Sequence, residues 1–328
     1  MGGDCGIPDN SLMSDPTPLL HLLIPGAGLP AVAPDAAARS TPALPHLTQL
    51  LQYMDATSLI ECGDDSLSMP FELALAQLHG LPAQAGHIPW AAFETGTVGT
   101  PCAWVQPCHW QLGATHMLLS DPAGLNLDET SSRALLAAAA PYFQDDGMIL
   151  SYHQPGRWLA SGEVFRDLPA RSLDRVIGYR VSPALFDDAG PRGARLRRLQ
   201  NEIQMLFHTH PVNEARQDQR QLPVNAFWIS GAGELAHLPA ARPGLLVDNR
   251  LPAAALRGDP LAQAQAWAAV DADACARLLA QLRQGHAIGL TLCGERRARG
   301  YTVAPRSLFD RIKHVLGLKP PSLGLETL

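Results

Sequence analysis

The stretch FHTHPVNEARQDQRQLPVNAFWISGAG, Phe207–Gly233, decides the fold class. The segment leading into it, ARLRRLQNEIQMLF, carries Leu196, Leu199, Ile203 and Leu206 at helical spacing, so one face of a helix is apolar. That helix is expected to end near His208. Pro211 disfavours helical geometry at His210, which makes His208–Asn213 a helix end followed by an ordered loop. AFWISG then reads as a short buried strand that delivers Gly231 and Gly233, where backbone can approach another group closely. Helix, loop and buried strand in succession argue for an α/β chain.

Working outward, LLHLLIPGAG (Leu19–Gly28) reads as a buried strand entering a Pro-Gly turn, and GLLVDN (Gly244–Asn249) and AIGLTLCG (Ala287–Gly294) as further strands. Helices are expected over Leu44–Asp55, and over Pro70–Gly80 with Ser68 as N-cap and Gly80 and Pro82 as the stop. Others are expected over Leu127–Phe143 with acids in its first turn, around Asp273–Arg283, and over Ser307–Gly317. AWVQPCHWQ and THMLLSDP read as two strands, and GMILSYH with RWLASGE as a hairpin. The expected fold is a mixed, mostly parallel sheet with flanking helices and some antiparallel pairing in the middle. Residues 1–17, rich in Gly, Pro, Asp and Ser, read as a disordered tail, and 18–328 as one unit with about 100–205 as a candidate subdomain.

With 328 residues, 46% of them hydrophobic, the chain can bury a substantial core. A net charge of −6 argues against a broad nucleic-acid-binding surface. The six cysteines are sparse and irregular, unlike a disulfide scaffold. No basic segment followed by a long apolar run opens the chain, and no apolar stretch reaches membrane-spanning length. The expectation is a cytoplasmic protein without a membrane partner.

His208 and His210 are one residue apart, so an extended backbone would point both the same way, as two ligands of a metal site. Such a site needs further ligands, for which His237 and Asp248 are candidates. The structural alternative is that the histidines cap carbonyls at the helix end. Arg216 offers a planar fork for phosphate or carboxylate, and Asn213 and Asn225 add neutral donors beside it. Equally, the asparagines can lock loops and the arginine can pair with an acid. Ser66 and Ser68 precede a helix, where a serine can act as a nucleophile or, more commonly, as a cap. GAGLPA and GAGELA fit a dinucleotide fingerprint in letters, but Pro30, Pro34 and Pro239 break the helix it requires, so turns are expected. Cys102 and Cys108 read as buried thiols, and CGERRARGY (Cys293–Tyr301) as a basic loop, solvated or facing an anion.

HPVNEAR…LPVNAFWISGAG (His210–Gly233) resembles the archaeal-type cofactor-independent phosphoglycerate mutases of the alkaline-phosphatase-like superfamily. His210, Pro211, Val212, Asn213, Arg216, Pro223, Asn225, Trp228, Gly231 and Gly233 carry that resemblance. The wider chain, with LLIPGAG, PFELALAQLHGL and GEVFRDLPARSLDRVIG, looks like a proteobacterial family labelled phosphoglycerate mutase or pathogenicity-factor regulatory protein of the RpfE type. The resemblance implies a shortened phosphoglycerate-mutase-like α/β scaffold. It also marks departures. The superfamily's first strand ends in an aspartate, whereas Leu19–Ile24 runs into Pro25-Gly26. Its late Asp-His pair has at best Glu295 in its place. The resemblance therefore implies a metal-deficient relative without a cofactor, binding a phosphorylated or carboxylated small molecule through His210, Asn213, Arg216, Asn225, Gly231 and Gly233 in a regulatory role. Two other readings stand beside it. One is an active Mn- or Zn-dependent mutase or phosphatase, with Ser66 or Ser68 as nucleophile and His208, His210, Asp248 and Glu295 as ligands. The other is a regulator that binds a protein partner.

Overall fold

The computed structural model describes residues 20–28, 43–112, 117–177, 180–181, 190–255, 259–303 and 324–328. The sequence expectations for residues 1–17 and for a helix over Ser307–Gly317 lie outside the described residues. Among those described, no helix is long and apolar enough to cross a membrane.

The chain is a mixed α/β structure with three sheets. The first contains β1 (Leu20–Ile24), β2 (Met54–Glu61), β10 (Leu245–Val247), β11 (Ile288–Cys293) and β12 (Arg297–Val303), in the order β10-β1-β11-β12-β2. β10, β1 and β11 are parallel, and β12 and β2 are antiparallel additions. Alternation along β1 sends Leu22 and Ile24 into one apolar cluster and Leu23 into another on the opposite face. α1 (Pro45–Tyr53) covers the first face together with α7 (Arg250–Ala255) and a long helix made of α8 (Pro260–Val270), a π-turn at Asp271–Cys275, and α9 (Ala276–Arg283). In that π-turn, buried Asp271 accepts the amide of Leu47 at 2.7 Å and the His46 ring nitrogen at 2.9 Å. It thereby supplies from a distance the cap that Leu44 cannot give α1. α2 (Pro70–His79) lies on the second face.

The second sheet, β6 (Ile149–Gln154), β7 (Arg157–Ser161), β3 (Cys102–Cys108) and β9 (Ala226–Gly233), is fully antiparallel. α4 (Glu129–Asp145) and α5 (Gly190–His208) bury one of its faces. The stripe of α5 is Leu196, Leu199, Ile203 and Phe207, each fully buried, with Leu206 only partly buried beside them. Each such side chain contributes about 1.5–3 kcal/mol. α3 (Trp90–Thr95) packs on β9. A third, small sheet joins β4 (Trp110–Leu112), β5 (Met117–Leu119) and β8 (Arg180–Val181). Cys102 and Cys108 are free, buried thiols.

Four local expectations are corrected. His208–Asn213 is not a loop through Asn213, because Pro211 starts a new helix, α6 (Pro211–Asp218). The extended His210 that proline demands is that helix's N-cap, and its Nδ1 accepts the amide of Val212. The N-cap of α2 is Met69 rather than Ser68, since Pro70 fills the first helical position. β10 is an edge strand with Leu246 and Val247 exposed, not a buried one. Most of Cys293–Tyr301 is a strand, β12, because its Arg297, Arg299 and Tyr301 alternate with Ala298 and Gly300 in antiparallel register with β2.

Candidate functional site

The conspicuous corner spends its polar atoms on its own backbone. Buried Asn213 donates from Nδ2 to the carbonyls of Phe207 and Val224, both at 2.7 Å, and its Oδ1 accepts the Val224 amide at 2.8 Å. Arg216, also buried, donates from Nε to Leu222 O and from a terminal nitrogen to Leu125 O. Desolvation lowers its pKa below the usual guanidinium value. Asn225 closes a pair of bonds with the backbone of Trp110, accepting at 2.7 Å and donating at 2.9 Å. Together these contacts fix the end of α5, the start of β9 and the residues before α4.

Gly231 and Gly233 have positive φ, +59° and +148°, and a Cβ on either would stand 2.9 Å from a side-chain carbon of Trp90 or Pro89. Their close approach is thus to the chain entering α3.

The proposed metal ligands sit on separate elements. His208 ends α5 and His210 caps α6, Asp248 follows β10, and Glu295 lies in the turn between β11 and β12. Asp248 is engaged by both Nε and a terminal nitrogen of Arg250, which holds its carboxyl below the usual range. Among the described residues no three His, Cys, Asp or Glu side chains come together to hold a metal ion. These residues do not fit the divalent pair that the mutase resemblance implies for an enzyme. Just past β11, Leu328 packs against Gly294, where an added Cβ would stand 2.5 Å from the Leu328 carbonyl carbon.

A different place gathers functional groups. At the start of α2, a cavity of about 260 Å³ opens between that helix, α3, the 170–174 loop and strands β3, β7 and β9. Two residues singled out from the sequence line it, Ser68 and Gly231. Ser68 is buried, and its Oγ accepts the Gly86 amide at 3.0 Å. Ser66 lies outside the lining and donates to Ser68 O. The segment is held from the other side by Ser172 N on Leu67 O and by Arg175 Nε on Ser68 O.

Glu72 is the first residue that the sequence reading missed. Its carboxylate accepts the Met69 amide at 2.7 Å and is 8% exposed. Burial raises its pKa from 4.5 to about 7, against the opposing pull of that amide. The Ser172 hydroxyl sits close enough to favour the carboxylate, yet it makes no hydrogen bond of sound geometry and is left without a partner. Burial also raises the pKa of Asp174. Across the cavity, Arg157 pairs with Glu94 at 2.7 Å and stacks over the Trp104 ring at 3.9 Å. Arg157 Nε and Trp104 Nε1 are both buried without a partner. Ser230 donates to Gln106 at 2.9 Å on the same wall. One signal for Glu72 was available: Pro70 at the first helical position puts Met69 at the cap and an acid at the position that reaches back to it. Nothing local marks Trp104, Arg157 or Ser172.

No protein-family model matches this chain. No curated protein matches it either. Among solved structures, the cofactor-independent phosphoglycerate mutase from Thermoplasma acidophilum DSM 1728 aligns over 88% of this chain and 90% of its own, at 15% identity and a TM-score of 0.37. The PH0037 protein from Pyrococcus horikoshii aligns over 87% of each chain, at 12% identity and a TM-score of 0.40. Similarity at that level assigns no residue a role.

Proposed function

We propose that this chain is a metal-deficient binding protein that takes a phosphorylated or carboxylated small molecule into the cavity at the start of α2, in a regulatory rather than a phosphoryl-transferring role. The observation that carries this reading is a set of idle donors. Trp104, Arg157 and Ser172 line one cavity, and their Nε1, Nε and Oγ atoms are buried without a partner. A buried donor left unpaired costs about 1–3 kcal/mol, which an acceptor-rich ligand would recover.

The acids around the cavity are compatible with such a ligand. Glu94 is offset by Arg157. Burial keeps Glu72 protonated up to about pH 7, where it presents a donor instead of a charge. An anion in the cavity would raise that pKa further, so binding tightens as pH falls through 7. The regulatory half of the reading rests on the scattered metal candidates, since among the described residues no three His, Cys, Asp or Glu side chains come together to hold the metal ions that a phosphoryl transfer of the mutase kind would use. Asn213, Arg216 and Asn225 serve this site indirectly, by holding the strand that carries Ser230 and Gly231.

Calorimetric titration of 3-phosphoglycerate, glycerate and inorganic phosphate at pH 6 and pH 8 tests the reading. At least one should bind more weakly at pH 8, and Arg157→Gln should weaken it about tenfold. Equal affinity in a folded Arg157→Gln variant would sink the assignment. Mn-dependent conversion of 3-phosphoglycerate to 2-phosphoglycerate would replace it with an enzymatic one.

A further inference from the structure

A second cavity, of about 210 Å³, lies under the other end of α2, against the face of the first sheet. It shares no lining residue with the first. Its floor is polar where the rest of that face is apolar. His21 and Thr291, each 5% exposed, are joined from Nε2 to Oγ1 at 2.8 Å, while Leu23, Cys293 and Ala298 continue the same face as hydrophobic core. His21 Nδ1 is buried without a partner. Gly289, opposite His21 in register, makes room for this ring, since a Cβ there would meet Nδ1 at 2.3 Å.

Two further observations point to a ligand. Arg242 lines the cavity with its Nε buried and unpartnered, and its terminal nitrogen is anchored on Leu78 O at 2.9 Å. Among the described residues it has no carboxylate partner, and no acid lines the cavity. The second observation is a break in strand register. β12 and β2 slip at Gly300/Tyr301, leaving Thr57 as an extra residue between the partners of that step. A regular strand would send Thr57 and Ser58 to opposite faces, yet both line the cavity, as bulges near functional sites permit. Their exposed side chains stand at the mouth.

We infer that this second cavity is a binding site for a small anion, a phosphate or short carboxylate, with Arg242 as its charge and His21 and Ser58 as neutral donors. The volume suits an anion of a few heavy atoms, below the usual range for larger ligands. The donor set matches too. A guanidinium Nε–H supplies a charge-assisted bond, and burial keeps His21 neutral, so one ring nitrogen can accept from Thr291 while the other donates. The site stands on residues independent of the first cavity, and either can exist without the other.

The test is long-range proton–nitrogen NMR of the His21 ring during titration with inorganic phosphate, sodium acetate, or sodium chloride at matched ionic strength. Phosphate or acetate should move the Nδ1 resonance in the wild type and equally in Arg157→Gln, whereas chloride should not. Arg242→Gln should need about tenfold more of the same anion. Should that variant fail to fold, Ser58→Leu, a change at an exposed position that obstructs the mouth, should suppress the shift in its place. The inference is overturned by an unmoved His21 ring in the folded wild type with both anions, by equal titration of Arg242→Gln, or by loss of the shift in Arg157→Gln.

Discussion

The corner at Phe207–Gly233 and the cavity at the start of α2 contain the same kinds of side chain and treat them in opposite ways. In the corner, Asn213, Arg216 and Asn225 direct their polar atoms at carbonyls and amides of their own chain. In the cavity, Trp104, Arg157 and Ser172 keep buried polar atoms with no partner at all. A dense cluster of polar letters in a sequence thus marks a place where backbone needs bonds. A place where a ligand needs bonds is marked by atoms left unpaired, which no local pattern advertises.

That contrast can be broken in several ways. Asn213→Leu should cost the most, about 4 kcal/mol of stability by chemical denaturation, since three bonds vanish and buried backbone groups are stranded. The folded fraction should still bind ligand normally. Glu72→Gln should do the reverse. The folded pKa of Glu72, about 7, lies above its unfolded value, so its favourable contribution is full below pH 4.5 and is lost as pH rises to 7. The variant should therefore be more stable than wild type at pH 8, by up to about 3 kcal/mol, and no more stable at pH 4.5. His21 mirrors it at the far end of α2. Its pKa is lowered to about 4, chiefly by burial, so stability falls as pH drops from 6.5 towards 4, and His21→Gln should flatten that acid limb of a denaturation series. Arg157→Gln should change stability least, by under about 1 kcal/mol, because its pair with Glu94 is partly exposed.

Much of the framework was legible. The apolar stripe of α5, the hairpin of β6 and β7, the buried strands β1, β9 and β11, and the stop at Gly80 all follow from periodicity and turn chemistry. Failures came where tertiary context overrode a local rule. Pro211 ends one helix, yet it also begins the next. Exposed β2 and arginine-rich β12 carry little apolar signal and exist as strands because β12 pairs with β11 on one side and with β2 on the other. Of the site, Ser68 and Gly231 were found for reasons of local geometry. Trp104, Arg157 and Ser172 come from three separate parts of the chain, and only the sheet and the loop packed against α2 bring them to one cavity.

The central claim is that ligand recognition belongs to the idle donors and framing belongs to the corner. Its most direct test is calorimetric titration, at pH 6, of whichever anion binds the wild type, into Arg157→Gln and Arg216→Lys. Binding should be about tenfold weaker in Arg157→Gln, with Arg216→Lys binding as the wild type does despite lower stability. Lost affinity in a folded Arg216→Lys protein, with Arg157→Gln unaffected, would contradict it and return the ligand to the corner.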